Sequence, residues 1–405
     1  MHVKLMMGGL VLAGALSAMA EDAMHVARTN SALAPTGRFT WAAGGEVRGP
    51  MQVTPAGEVT ALVARAKGEM DLVRWSADGK ELLRRRVELA AAVFDSRLEP
   101  DGSLVVVDEK DIVKLGHDGR TLARRRVAEL ESVARYERYR VYGELRSKAA
   151  AAPEGAWIAT SERLLFAGFD GKGISVPAPI GVRCEAIHQP GGRGCKESIH
   201  TVSLVANESG ECLLVEELGI DHRIKGGHDR TEQLVLSLVS RTGELLAQRM
   251  LGKVESRLEW FWAENRDSRS LMPSIPDFGL VRRRYSGLAR LRIAGERQGK
   301  GFIVIGSGIG CRIRQFDPRL GDGWCRTILT AGMTELSPAW TKDILIVSGD
   351  YVNTYDEAGA LHYAELKPRE GEPERTILNT AIGQTPGGDW IVAWHSTPPE
   401  DVNPD

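Results

Sequence analysis

Residues 99–127 read EPDGSLVVVDEKDIVKLGHDGRTLARRRV, and residues 54–87 hold a looser copy, TPAGEVTALVARAKGEMDLVRWSADGKELLRRRV. Each has a Pro-x-Gly turn, an apolar run, a second run, an Asp-Gly turn and a closing LxRRRV. Proline presets φ and glycine accepts positive φ, so both turns are hairpin connections between short strands. The first turn recurs at Pro55-Ala56-Gly57, Pro100-Asp101-Gly102, Pro153-Glu154-Gly155 and Pro386-Gly387-Gly388. Looser equivalents stand at Ser209-Gly210, at Gly299-Lys300-Gly301 and at Trp340-Thr341-Lys342. The second recurs at Asp78-Gly79, Asp118-Gly119, Asp170-Gly171, Thr242-Gly243, Asp322-Gly323 and Ala358-Gly359.

Short strands with glycine turns, repeated at this interval, predict an all-β fold of the β-propeller class. Each blade has four antiparallel strands A to D, with Pro-x-Gly joining A to B and Asp-Gly joining C to D. The last Pro-x-Gly leads into DWIVAWHS and the sequence stops without strands C and D. At the other end, residues 24–44, with a Thr36-Gly37 turn and an FTW run, read as the missing C–D hairpin. The expectation is a seven-bladed β-propeller with one blade split between the N- and C-termini. An eighth blade would have to lie between Gly210 and Gly301.

Residues 1–20 carry Lys4, an apolar run from Leu5 to Leu16 and Ala18-Met19-Ala20. That is the layout of a secretory signal peptide, too short to span a bilayer. The expected product is an exported protein, periplasmic or secreted, with residues 21–405 as a single monomeric propeller domain and no transmembrane segment. Removing Lys4 leaves 51 basic against 54 acidic residues, which argues against nucleic acid as a partner. The triplets Arg84–Arg86 and Arg124–Arg126 fall in the outermost strand of a blade, where charge protects an edge from aggregation.

Strand direction alternates, so the A–B and C–D turns share one end of each blade and the B–C and D–A connections the other. The first set is tight throughout. Extra length falls on the second: insertions 128–148, 182–198, 218–232 and 253–287, with a shorter one at 367–375. Loops on a rigid scaffold are where binding and catalysis concentrate. Insertion 218–232 contains Asp221, His222, His228 and Asp229, four donors that could hold a divalent metal ion; His188 and His200 flank the neighbouring insertion. Insertion 253–287 carries Trp260, Phe261, Trp262, Glu264 and Arg266, then Arg282, Arg283 and Arg284. Aromatics beside arginines can stack on a peptide or sugar; the alternative is a lid packed on the blades. Tyr136, Tyr139 and Tyr142 form a similar stripe, docked on the scaffold.

Of the five cysteines, Cys311 and Cys325 bracket a C–D hairpin and read as a cross-strand disulfide. Cys184 and Cys195 would close GVRCEAIHQPGGRGCK in the same way, with Cys195–Cys212 as an alternative. Cys212 lies mid-strand in ECLLVEEL and reads as a buried free thiol.

The repeat PDGSLVVVDEKDIVKLGHDGRTLARRRV resembles those of exported bacterial propellers of the streptogramin (virginiamycin B) lyase, NHL-type and quinoprotein-like groups. The resemblance rests on turn residues and apolar alternation and implies fold. The AxDxxTGxxxW signature of quinoprotein blades has no clean copy here. Only Trp157 and Trp390 approach the lyase blades' aromatic strand B, so no catalytic residue transfers. No GxSxG or HExxH motif is legible. Two functions follow: a non-catalytic binding or scaffold propeller recognising a protein, peptide or glycan, and an enzyme of lyase or hydrolase type with a metal or His/Asp site at the axial mouth.

Overall fold

The computed structural model describes residues 23–138, 148–177, 195–259, 292–328, 336–365 and 376–397. Within these spans it omits 31, 33, 66–67, 161, 225–226, 295–301, 307–310, 318, 341–343, 349–350 and 356–360. Its contacts divide the chain into two compact units, Met1–Arg126 with Ala331–Asp405, and Val127–Thr330.

The first unit opens with β1 (Ala23–Thr29) and β2 (Pro35–Ala42). Two meanders follow: β3 (Glu46–Val53), β4 (Val59–Ala64), β5 (Met70–Trp75) and β6 (Glu81–Val87), then β7 (Val93–Leu98), β8 (Leu104–Asp108), β9 (Asp111–Leu115) and β10 (Thr121–Arg126). The second unit begins with a helix, α1 (Glu129–Arg138). Its first meander is β11 (Lys148–Ala152), β12 (Gly155–Ala159), β13 (Arg163–Gly168) and β14 (Gly173–Pro177). Next come β15 (Cys195–Ala206), β16 (Cys212–Ile224), β17 (Gly227–Val239) and β18 (Leu245–Glu259). The unit ends with β19 (Arg292–Ala294), β20 (Phe302–Gly306), β21 (Cys311–Phe316) and β22 (Asp322–Ile328). Returning to the first unit, β23 (Leu336–Trp340), β24 (Ile344–Ser348), β25 (Tyr351–Tyr355) and β26 (Leu361–Glu365) precede β27 (Thr376–Gln384) and β28 (Trp390–Thr397).

The described residues thus form seven four-stranded sheets, each antiparallel throughout. Six are sequential meanders; the seventh runs β27-β28-β1-β2, so the first and last strands of the chain complete one sheet. β1 pairs with β28 from Ala23↔Ser396 to Thr29↔Trp390.

The tight turns share one chemistry. In nine A–B and C–D turns among the described residues the N–H of the first residue donates to the carbonyl of the fifth, and that of the fourth donates back to the carbonyl of the first. Residues 99–103 and 116–120 are examples: Glu99 N–H to Ser103 O (2.8 Å) and Gly102 N–H to Glu99 O (2.9 Å), then Gly116 N–H to Arg120 O (2.7 Å). The fourth residue needs positive φ, supplied by Gly57, Gly79, Gly102, Gly119, Gly171, Gly210, Gly243 and Gly388. A side-chain acceptor completes each turn. Where the first residue is Thr54, Ser76, Asn207, Ser240, Asp317 or Thr385, its own oxygen accepts the fifth N–H. Where it is Glu99, Gly116 or Gly168, an aspartate two residues on (Asp101, Asp118, Asp170) takes that role.

Three turns depart from the sequence reading. The β21–β22 turn is residues 317–321, because Asp317 caps it by accepting from Arg319 and Gly321 N–H; Leu320 carries the positive φ of 63°. Asp322-Gly323 therefore begin β22. The β1–β2 turn starts at Asn30, whose Oδ1 accepts from Ala32 and Ala34 N–H, which puts Thr36-Gly37 inside β2. In Pro153-Glu154-Gly155 the positive φ, 60°, belongs to Glu154. Gly155 is needed instead for clearance, since a Cβ there would stand 2.3 Å from Ala167 O.

Where their burial is described, strands B and C are largely buried on both faces, and alternate residues serve different neighbours. Val59, Ala61 and Val63 of β4 pack with Met24, Val26, Ile391 and Ala393 of the closing sheet, while Leu62 joins Leu104, Val106, Val113 and Leu115 of the next sheet. β16 does the same in the second unit: Cys212 and Leu214 face Trp157 and Phe166, and Leu213 and Val215 face Phe316 and Leu320. Each buried Leu, Val or Phe contributes about 1.5–3 kcal/mol. First strands lie side by side, β23 beside β27, β3 and then β7 in one unit, and β11, β15 and then β19 in the other. Sheets stacked face to face, with strand A innermost, are blades of the β-propeller class.

Polar contacts tie neighbouring blades at equivalent places. Arg74 Nη2 donates to Gly102 O (2.8 Å) in the next sheet's A–B turn, and Trp157 Nε1 donates to Gly210 O (2.9 Å). The LxRRRV arginines are clamps as well as edge charges. Arg84 reaches buried Asp71 (3.4 Å) and Ala43 O (3.3 Å). Arg124, at the same place in the next blade, reaches Asp111 (3.0 Å) and Glu88 O. Each thus pins the outermost strand to the connection that leads into its own blade.

Candidate functional site

One sheet differs from the rest at the end carrying B–C and D–A connections. β7–β10 are strands of 5 or 6 residues, whereas β15–β18 run to 12, 13, 13 and 15. The additional length is paired across all four strands, from Cys195↔His222 through Ile224↔Gly227 to Gly227↔Glu259. Register shifts mark where it departs from the blade: Val202 of β15 is skipped between Thr201 and Ser203, and Leu251 of β18 is skipped opposite Leu234 and Val235. Such bulges bend a strand and raise its local twist. Insertion 218–232, expected as a loop, is therefore mostly strand: it lengthens β16 and β17 up to a connection at 225–226. Its polar composition concealed β pairing because the Ile and Thr positions that favour strands (Ile220, Ile224, Thr231) are interleaved with charge.

The expected metal donors fall on this extension, in two sets. His222 is directly opposite Asp229. Asp221 is opposite Arg230 and, on its other side, Lys196; His228 is opposite Arg223. Successive residues of a strand belong to opposite faces, so Asp221 and His228 share neither row nor face with His222 and Asp229. Cys195 joins the His222 row from β15 and Arg257 joins it from β18. Neither was legible as a neighbour, since strand register across an insertion has no local sequence signal. Among the residues whose side chains are described, no three His, Cys, Asp or Glu gather at metal-binding distance, so the metal question is one of register at this tip.

Insertion 128–148 opens with α1, which buries Leu130, Val133 and Ala134, one stripe at helical spacing. Glu129 and Glu131 in its first turn suit the helix dipole, and Glu129 is 3.8 Å from Arg163 at the start of β13. The helix docks through these three residues; of the expected tyrosine stripe, Tyr136 is in its last turn, and Tyr139 and Tyr142 lie outside the described residues. Trp260, Trp262, Glu264, Arg266, Arg282, Arg283 and Arg284, the expected ligand-binding set, also lie outside the described residues. So do the signal segment 1–20, His188 and Cys184. Among the described residues no helix is long and apolar enough to cross a membrane.

The cysteine expectations divide. Cys212 is buried and free, and burial, with Glu216 adding to it, pushes its thiol well above the ordinary range; the Cys195–Cys212 alternative is thereby removed. The Cys311–Cys325 disulfide is corrected by register. Cys311 is opposite Ile328, and Cys325 is opposite Arg314. Three positions separate them along the ladder, on opposite faces and about 10 Å apart by strand rise, beyond the reach of an S–S bond. The hairpin closes later than its cysteines imply, because its turn sits at Asp317.

The fold and sheet order define a β-propeller protein. The sequence matches no protein-family model and no curated protein. Solved structures similar to it include a streptogramin B lyase, at 10% identity over 92% of this chain and 97% of that one, with a TM-score of 0.44. An inactive virginiamycin B lyase from Staphylococcus aureus with quinupristin has 10% identity, coverage of 92% and 99%, and a TM-score of 0.42. The WD40 domain of Neurospora crassa Pan2 has 7% identity, coverage of 86% and 90%, and a TM-score of 0.44.

Proposed function

We propose that this chain is a non-catalytic binding or scaffold propeller, exported to the periplasm or cell exterior, that recognises a protein, peptide or glycan. Recognition uses the end of the blades that carries the B–C and D–A connections. The observation that carries this reading is the four-strand extension of the β15–β18 sheet. Strands usually run to about 5–6 residues, and those of the other sheets run from 3 to 9, so the added length exceeds what the other blades use. Charged residues populate it on every strand, as suits a surface that meets a partner in water. The apolar leader supports export.

Photo-crosslinking in the cells that make the protein tests this reading. A photoreactive residue replaces Ser198 or Glu232 on the extension, or Asp170 in a tight turn at the other end. A defined adduct from the first two positions and none from the third is expected. Adducts from Asp170 alone, or from none of the three, would overturn it. Shortening the extension, by replacing residues 219–232 with Asn-Gly, should abolish the adduct formed from Ser198.

A further inference from the structure

The outermost strand of the extended sheet, β18, carries its added length along an open edge. β18 ends the strand order β15-β16-β17-β18, and among the described residues no strand pairs with its other side. Beyond the skipped Leu251, residues 253–259 read KVESRLE and stay paired with β17, from Lys253↔Gln233 to Glu259↔Gly227. An edge of that length, held extended by its neighbour, is a template for another strand. Successive positions belong to opposite faces: Lys253, Glu255, Arg257 and Glu259 to one, Val254, Ser256 and Leu258 to the other. We propose that β18 pairs antiparallel with β18 of a second copy of this chain, about a two-fold axis at Ser256. Two four-stranded sheets thereby become one continuous sheet.

The sequence of the edge selects both the partner and the register. A two-fold axis perpendicular to the sheet keeps every residue on its own face, so the axis must pass through a residue position. With the axis at Ser256, Lys253 is opposite Glu259 and Glu255 is opposite Arg257, each twice per dimer, while Val254 meets Leu258 on the other face. Opposite charges at directly opposed positions stabilise an antiparallel pair, and like charges destabilise it. An axis at Glu255 would set Lys253 against Arg257 and Glu255 against itself. An axis at Arg257 would set Glu255 against Glu259 and Arg257 against itself. At Val254 or Leu258 the segment makes one charge pairing instead of two. The edge is therefore complementary to itself in one register, which ends at Glu259 opposite Lys253, short of the bulge at Leu251 in either copy. Such a surface is isologous, the form most homodimers take, and it replaces the monomer expected from the sequence. It is independent of the recognition reading, because it needs the β18 edge and a second copy and no other partner.

Exchanging charges tests this pairing. Within its own sheet Lys253 is opposite Gln233 and Glu259 is opposite Gly227, both neutral, so reversing either charge sets no like charges opposite each other within one chain. Sedimentation equilibrium of the purified protein over a micromolar concentration series should show a monomer–dimer equilibrium. Lys253→Glu and Glu259→Lys should each weaken the dimer about tenfold or more, since two pairings per dimer change sign. Mixing the two variants should restore association, because each chain then meets its complement; combining both substitutions in one chain should do the same. Ser256→Cys, opposed to itself, should oxidise to a disulfide joining two chains at that position, identified by mass spectrometry of the linked peptide; it also serves if a reversal variant fails to fold. Four results would overturn the proposal: a monomer throughout, a dimer indifferent to both reversals, no recovery in the mixture, or no inter-chain disulfide from Ser256→Cys. All are read on the purified chain alone, so they can fail while a crosslinked adduct from Ser198 to a different partner stands, and the reverse.

Discussion

The β7–β10 and β15–β18 sheets are alike at one end and different at the other. At the tight-turn end both use the same five-residue A–B connection, 99–103 in one and 207–211 in the other, with a glycine at the fourth position. At the opposite end, the β8–β9 connection is closed at once: Asp108, fully buried, accepts from Ala90, Lys110 and Asp111 N–H. The β16–β17 connection lies beyond Ile224, after several further pairs on every strand. Register shifts at Val202 of β15 and Leu251 of β18 mark where the added length begins.

Cutting each region separates the two roles. Removing residues 24–44 deletes β1 and β2, half of the closing sheet, together with buried Met24, Val26 and Ala27. The expected loss is of the order of a domain's whole stability, about 5–15 kcal/mol, read as absence of a cooperative urea transition. Replacing 219–232 with Asn-Gly lets Leu218 and Gln233, already paired, close a two-residue hairpin. Its urea midpoint should correspond to a change within about 1 kcal/mol. Unfolding of the shortened protein would break the comparison by making the extension part of the core.

Trp157→Ala tests the shared part of the extended sheet. The indole is fully buried against Phe166 (ring centroids 5.1 Å apart) and bonded to Gly210 O. Truncation should cost about 3–5 kcal/mol through the cavity it leaves, and it strands the Gly210 carbonyl. An effect below about 1 kcal/mol would mean that this blade contact is loose, and that the β15–β18 sheet stands apart at its base as well as at its tip.

Most of the blade pattern was legible because it is local. A glycine four residues into a turn, with Ser, Thr, Asn or Asp at the first or third place, writes the hairpin within five letters. The shifted turns at Asp317 and Asn30 were missed because a capping side chain, rather than the glycine nearby, sets the register. The site was less legible. His222 and Asp229 stand out as residue types, but pairing Cys195 with His222 requires knowing where β15 begins, across an insertion of arbitrary length. The RRR triplets misled in a different way: their charge is visible, while Asp71 and Asp111, which it serves, lie a strand away.

Those triplets give a finer test of the regular end. Arg124 bonds Asp111 and Glu88 O, so Arg124→Ala should cost about 1–2 kcal/mol. Arg86 is 69% exposed and bonds Glu69 at 2.8 Å; exposed pairs of that kind contribute about 0–1 kcal/mol, and Arg86→Ala should fall at the low end. Equal losses in urea denaturation would mean that the clamp is no more than surface charge.

The smallest effect concerns the tight turns, and its sign follows from Asp101. Ser103 Oγ–H and N–H both donate to its carboxylate, at 2.5 and 2.9 Å, and the hydroxyl bond is the larger cause of a pKa lowered from 3.8. A carboxyl depressed in the folded state is the weaker proton acceptor there. Its contribution to stability is complete above the ordinary value of 3.8 and is lost as pH falls through the depressed one. Asp118 is shifted the same way, chiefly by the Arg120 N–H, so the acid limb of the stability profile belongs in part to this end of the blades. Asp101→Asn should lower stability slightly near neutral pH, where that contribution is complete, and flatten the fall below about pH 4. Urea midpoints measured from pH 6 downward read this directly. An unaltered acid limb would move the titration to carboxylates elsewhere, and the tight-turn end would then contribute geometry alone.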